Sequence, residues 1–390
     1  MKVYLDYAAA TPVDPRVLEA MLPYFAEYFG NPSSVHSYSH KAQEALDKAR
    51  ESVASLIGAE SPDEVVFTSG ATESNNLALK GFAYRNRDKG NEIVTTTIEH
   101  ISILNVCKYL RGEGFEAVYV PVDRYGLVDV EKLAEAVDEK TLLVSVMYAN
   151  GEIGTVEPIE EIGKIAHERN VPLHVDATAA VGKVPIDVVK ENIDLLTLSS
   201  NDLYGPKGVG ALYIRRGVKL LPIIHGGGQE RGLRSGSENI PGIIGMGKAA
   251  ELAKEEIQTE AERLTGLRDS LISGLLKEVP ESYLNGHPTQ RLPNNANMRF
   301  SYIEGESLLL GLDALGVQAS SGSACTSKTL EPSYVLLAIG LKHEEAHGSV
   351  LFTLGKGNRE EEVNYVVKVV PGIVRRLRIL SPLTPKELLR

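Results

Sequence analysis

The chain predicts an α/β protein: a large domain built on a mostly parallel sheet flanked by helices, with a smaller α+β domain after it. Three observations lead there. From residue 64 onward, short apolar runs rich in β-branched residues alternate with longer stretches of helical period. The distance between successive apolar runs leaves room for a helical crossover and not for a tight hairpin, which makes the strands parallel and the crossovers right-handed. The 390-residue length exceeds what one domain usually takes, and a long polar helical stretch divides the pattern in two.

The elements follow in order. "EVVFTSG" reads as a strand before a helix from about Thr72, "NEIVTTT" as a strand before one from about His100, and "EAVYVPV" as a strand before Val130–Val137. "TLLVSVMYAN" precedes the helix Ile159–Glu168, and "VPLHVDAT" and "LLTLSS" continue the series. The polar helical stretch near Lys248–Glu278 then connects to "NNANMRFSYIEGESLLLGLDALG", which opens the smaller region, and a basic amphipathic helix closes it. The expected division is residues 12–258 for the large domain, with residues 1–11 and 259–390 forming the small one. In open parallel sheets ligands sit at the carboxyl ends of the strands, so the residues just after each apolar run are the candidates for chemistry.

Composition narrows the function. A formal net charge of −11 disfavours nucleic acid as a partner. No stretch reads as a leader or approaches the ~20 apolar residues of a membrane span, so a cytoplasmic protein with no membrane partner is expected. Two cysteines cannot form a disulfide framework. Cys107 falls at helical spacing with Ile101, Leu104 and Leu110 and reads as a core residue. Cys325, within "ASSGSACTSKTLEPS", is surrounded by small and hydroxylated residues and reads as an accessible nucleophile or soft metal ligand.

Three strand ends carry polar residues of the right kinds. Ala71 and Thr72, in "FTSGATESNN", stand at a helix start where backbone N–H groups can cradle a phosphate, with an ordinary N-cap at Thr72 as the alternative. His100 can transfer a proton or stack on a flat ligand, and Asp176 can hold a protonated ring nitrogen; either can equally cap the next segment. His343-Glu344-Glu345-Ala346-His347 matches the H-E-x-x-H pattern of zinc hydrolases, with Glu360–Glu362 as a source of a third ligand, but Gly348 interrupts the helix directly after it.

Taken together, "YLDYAAATPVDP", "FGNPSSVHS", "FTSGATESNNLALKG", "GEIGTVEPIEEIG", "HVDAT", "YGPKGVGALYI", "GGGQERGLRSGSEN" and the Cys325 segment closely resemble the cysteine desulfurases of the IscS/NifS type over nearly the whole chain. The resemblance implies the fold-type I architecture of class V aminotransferases, with a seven-stranded sheet and a homodimeric active site. It also implies pyridoxal 5'-phosphate as cofactor and L-cysteine as sulfur source. It assigns Ala71, Thr72 and Ser199 to the phosphate, His100 to stacking on the ring, Asp176 to the pyridine nitrogen and Cys325 to the persulfide. Ser237 stands where the family supplies a threonine to the other subunit's phosphate.

The same resemblance exposes departures. Where the family reads Ser-x-His-Lys, with the lysine bonded to the cofactor, this chain has Ser199-Ser200-Asn201-Asp202. Lys207 lies five residues further on, in a turn the family also has. Gly151 replaces an asparagine, Ala179 a glutamine near the cofactor's phenolic oxygen, and Leu351 the arginine that pairs with the substrate carboxylate. Any cofactor is therefore expected to be held noncovalently and desulfuration to be impaired. Cys325 is expected to serve iron–sulfur cluster assembly with an IscU-like scaffold, passing on a persulfide or ligating an iron of a shared [2Fe-2S] cluster, with sulfide as an alternative sulfur source. A working desulfurase with noncovalent cofactor and, remotely, the zinc hydrolase are the alternatives. For Asp202 the sequence leaves a plain turn or N-cap role open.

Overall fold

A computed structural model describes residues 1–322 and 332–389, so Cys325 lies outside the described residues. Its centre is a seven-stranded sheet made of β1 (Val65–Thr68), β2 (Glu92–Thr96), β3 (Glu116–Val120), β4 (Thr141–Met147), β5 (Leu173–Asp176), β6 (Leu195–Ser199) and β7 (Gly210–Ile214). The spatial order is β1-β7-β6-β5-β4-β2-β3. Only β7 runs antiparallel to its neighbours, β1 and β6. Every residue of β1, β4, β5, β6 and β7 is buried, which is why these strands are continuous apolar runs and do not alternate: both faces are covered.

The helices between the strands fall at Ala71–Arg85, Ile101–Gly112, Val130–Ala136 and Ile159–Glu168. The first is capped by Gly70 at φ 151°, with no side-chain cap, so Thr72 is a residue of the first turn and not the N-cap. His100 is the N-cap of the second. The connector is longer than the polar pattern indicates, running from Ile240 to Glu278, because Asn239 caps it by accepting from Gly242 N and its opening turns are apolar and buried. Its first half (Ile243, Met246, Ala250) belongs to the core under the large sheet and its second half (Leu264, Leu271, Leu275) to a separate core. At Gly247 it crosses the helix Ser37–Leu56 so closely that a Cβ would lie 2.5 Å from Ala49 Cα.

The second core packs against a three-stranded antiparallel sheet of β8 (Ser282–Leu284), β9 (Asn295–Phe300) and β10 (Ser349–Thr353), in the order β10-β9-β8, and against the C-terminal helix Glu360–Leu380. The chain start joins this region: Val3 and Tyr4 pair in parallel with Val317 and Gln318, and Asp6 bridges Thr353. Leu351 and Thr353 of β10 reach the cleft where β2, β4, β5 and β6 end. No described helix is long and apolar enough to cross a membrane.

Candidate active site

That cleft is a cavity of about 350 Å³, and its lining gathers residues that follow four different strands. His100 comes after β2, the segment Ala149–Glu152 after β4, Asp176 ends β5 with Ala179 and Lys183 beyond it, and Asn201 and Asp202 follow β6. Ala71, at the start of the first crossover helix, lines it too.

One wall is held by a hydrogen-bonded network. The Asp176 carboxylate accepts from Asn75 Nδ2 (2.8 Å) through one oxygen and from Thr178 N and Oγ1 (3.0 and 2.6 Å) through the other. Asn75 Nδ2 also donates to Ser102 Oγ (2.8 Å), which lies 2.7 Å from His100 Nδ1; that nitrogen accepts from Ser102 N (3.2 Å). His100 is thus both cap and cavity wall. At the helix start, Glu73 accepts from Ser69 N (2.8 Å) and pairs with Arg234 (2.9 Å), which leaves the N–H groups of Ala71 and Thr72 to face the open end of the helix.

The opposite wall is differently made. Asp202 sits on a single 3₁₀ turn, Asn201–Leu203, and its side chain caps nothing. Its partner is Lys183, with Nζ 4.0 Å from Asp202 Oδ1 and both side chains largely buried. Lys183 owes its position to Gly182, whose φ of 70° turns the chain back after β5; a Cβ there would lie 2.6 Å from Leu203 Cδ2, so the two loops are pressed together. Burial pushes the Asp202 carboxyl up, against the pull of Lys183, and burial pulls the Lys183 ammonium down, against Asp202. Both shifts favour the neutral pair. Lys207 takes no part: its Nζ donates to Thr11 O (3.0 Å), and it is not among the residues lining the cavity.

Glu152 ties the cavity to the segment that carries Cys325. Ser333 Oγ donates to Glu152 Oε2 (2.8 Å), and Gly322 packs so tightly on Glu152 that a Cβ would meet its Cγ at 2.7 Å. Gly322 and Ser333, the described flanks of residues 323–331, therefore both line the cavity. Glu152 Oε1 is buried with no partner among the described residues, and burial raises this carboxyl to about 7. Leu351, Ala179 and Gly151 line the same space, so three of the positions at which the sequence was expected to depart from the pattern it resembles fall together.

Other sequence candidates fall elsewhere. Ser199 is buried and hydrogen-bonds Asp202; neither it nor the exposed Thr72 and Ser237 is among the cavity-lining residues. Cys107 is buried, with its thiol pushed up to about 12 by burial. His343 and His347 are exposed on a five-residue helix, Glu345 caps it and contacts Arg299, and no cluster of three or more potential metal ligands occurs among the described residues. Sequence reasoning missed Lys183. The signal available was a lone cation in the otherwise uncharged run "ATAAVGKVPI".

The seven-stranded sheet, the second smaller core and a cleft at the strand ends define the fold-type I architecture of pyridoxal-phosphate enzymes. The chain belongs to the class-V aminotransferase family, which matches residues 3–366, and within it to the IscS-type cysteine desulfurases. It is 60% identical over 380 residues to cysteine desulfurase IscS 1 of Archaeoglobus fulgidus, covering 97% of this chain and 99% of that protein. A solved structure described as a NifS-like protein is similar with a TM-score of 0.91 at 42% identity, over 97% of this chain and 100% of that one. Another, "SspA in complex with cysteine", gives 0.81 at 38% identity, over 90% and 99%.

Proposed function

We propose that this protein serves iron–sulfur cluster assembly by presenting Cys325 to a scaffold protein of the IscU type, as a persulfide donor or as a ligand to an iron of a shared [2Fe-2S] cluster, while its own turnover of cysteine is impaired. The observation that carries this reading is the composition of one cavity. The flanks of the Cys325 segment line it, anchored on Glu152, and its far wall holds Asp202 and Leu351 where the family has a lysine and an arginine. A cysteine thiolate is a natural ligand for the iron of such a cluster.

Pyridoxal phosphate fits one end of this cavity. The Asp176 carboxylate, held by Asn75 and Thr178, would stabilise a protonated ring nitrogen; His100 would lie against the ring; the free N–H groups at Ala71 and Thr72 would take the phosphate, with Ser199 close by. When bound, the cofactor supplies an electron sink for bonds at the cysteine α-carbon. Leu351 offers no charge to a cysteine carboxylate, which removes roughly 2–5 kcal/mol of binding if that anion is desolvated. Ala179 offers no hydrogen bond. Sulfide from solution can then supply the bridging sulfur of a cluster whose iron Cys325 ligates, a step that changes no sulfur oxidation state. The dimer, the cytoplasmic location and the two-lobed division near residue 258 belong to this reading as well.

The test combines a spectrum with a cluster assay. Protein purified with its scaffold should carry iron–sulfur absorption that Cys325→Ser abolishes. Equal cluster assembly and retention by Cys325→Ser would refute the role of the thiol. The working-desulfurase alternative predicts cysteine-dependent sulfide release at rates ordinary for the family.

A further inference from the structure

The cavity holds an amine that the family motif does not assign. Lys183 is the one lysine among its described lining residues, and its ammonium faces the carboxylate standing in the family lysine's place. At 4.0 Å the two are in charge contact but too far apart for a hydrogen bond. The same pair also lines a second, smaller cavity, of about 40 Å³, together with Asn294, whose buried Oδ1 lacks a partner. The two side chains therefore form a partition with space on either side.

We propose that Lys183 is a relocated carbonyl-binding amine: it bonds covalently to the aldehyde of a pyridoxal-type phosphate in this cavity, with Asp202 as its proton partner. This rests on the reading of the cavity given above and replaces its noncovalent cofactor with a tethered one. The chemistry balances within the pair. The Lys183 ammonium passes one proton to the Asp202 carboxylate, and the freed lone pair on Nζ adds to the aldehyde carbon. The carbonyl oxygen leaves as water, taking one proton from the nitrogen and one from Asp202. A carbon–nitrogen double bond remains, with one proton on nitrogen, and Asp202 is a carboxylate again. No oxidant or reductant is needed. Burial works against both charges of the pair, which favours the proton transfer from Lys183 to Asp202.

The test is a trapping experiment on the full chain. Protein incubated with pyridoxal 5'-phosphate at near-equimolar ratio is reduced with borohydride, digested and mapped by mass spectrometry. The expected result is about one pyridoxyl group per chain on Lys183, lost at least tenfold in the Lys183→Met/Asp202→Asn double variant. That variant removes both charges together, so it leaves no uncompensated ion in the core. Cofactor that co-elutes with the protein but is not fixed to Lys183 by borohydride would overturn the inference and leave the cavity reading standing. Trapping at Lys207 would overturn it in the same way. A protein that neither retains nor traps the cofactor would overturn both.

Discussion

The two walls of the cavity contrast. On the Asp176 side both carboxylate oxygens accept hydrogen bonds, and the network runs through Asn75 and Ser102 to His100. On the Asp202 side the only charge contact is 4.0 Å long, and Ser200 Oγ, Glu152 Oε1 and Asn294 Oδ1 are buried without partners among the described residues. The Asp176 side is the more fully hydrogen-bonded of the two. Unpartnered buried polar atoms cost free energy and mark places where a ligand can supply the missing partner; Asn75 Oδ1, on the Asp176 side, is another.

The largest effect that would break this contrast is at Cys325. Cys325→Ser should abolish cluster transfer to a scaffold, read as loss of iron–sulfur absorbance, whatever the state of either wall. Next comes the pair itself. Lys183→Met alone leaves Asp202 buried without its counter-ion and should lower stability by about 3 kcal/mol in denaturant unfolding, with the Lys183→Met/Asp202→Asn double variant recovering most of the loss. Equal destabilisation by both variants would mean that the contact is incidental.

The Asp202 side can be tested by reversal. Asp202→Lys alone should raise alanine formation from cysteine only slightly, and adding Leu351→Arg should raise kcat/KM by a further 30-fold or more, corresponding to roughly 2 kcal/mol or more of carboxylate recognition. Full recovery from Asp202→Lys alone would show that the other losses matter little.

A further effect is the pH dependence of stability. Burial raises Glu152 to about 7 and Glu99 and Glu157 to about 8. Carboxyls raised in the folded state stabilise it fully below the ordinary carboxylate range, and this contribution is lost as pH rises through 7 to 8. Unfolding free energy should therefore fall between pH 5 and pH 9, and Glu99→Gln should flatten the slope. A rise in stability over that window would contradict these assignments.

Much of the large domain was legible in the sequence because strands buried on both faces are written as unbroken apolar runs. Ile159–Glu168 was placed to the residue, and Asp202 stood out, with Gly151, Ala179 and Leu351, against the motifs around it. What was not legible depends on contacts between distant segments. The Lys183–Asp202 pair joins two loops nineteen positions apart through the turn at Gly182, and no local pattern encodes that approach. The early start of the connector helix was missed for a similar reason: its first turns pack on the large core and so lack the polar face expected of a connector. The role of Glu152 in anchoring both flanks of the Cys325 segment likewise appears only when residues 152, 322 and 333 meet.

The most direct test of the account is to supply the cofactor-loaded protein and a scaffold with iron, and with either cysteine or sulfide, and to measure alanine and cluster together. The account predicts cluster formation from sulfide that requires Cys325, and alanine from cysteine on the order of a hundredfold below what an intact carboxylate-binding site would give. Rapid alanine production, matched mole for mole by sulfur delivered to the scaffold, would contradict it.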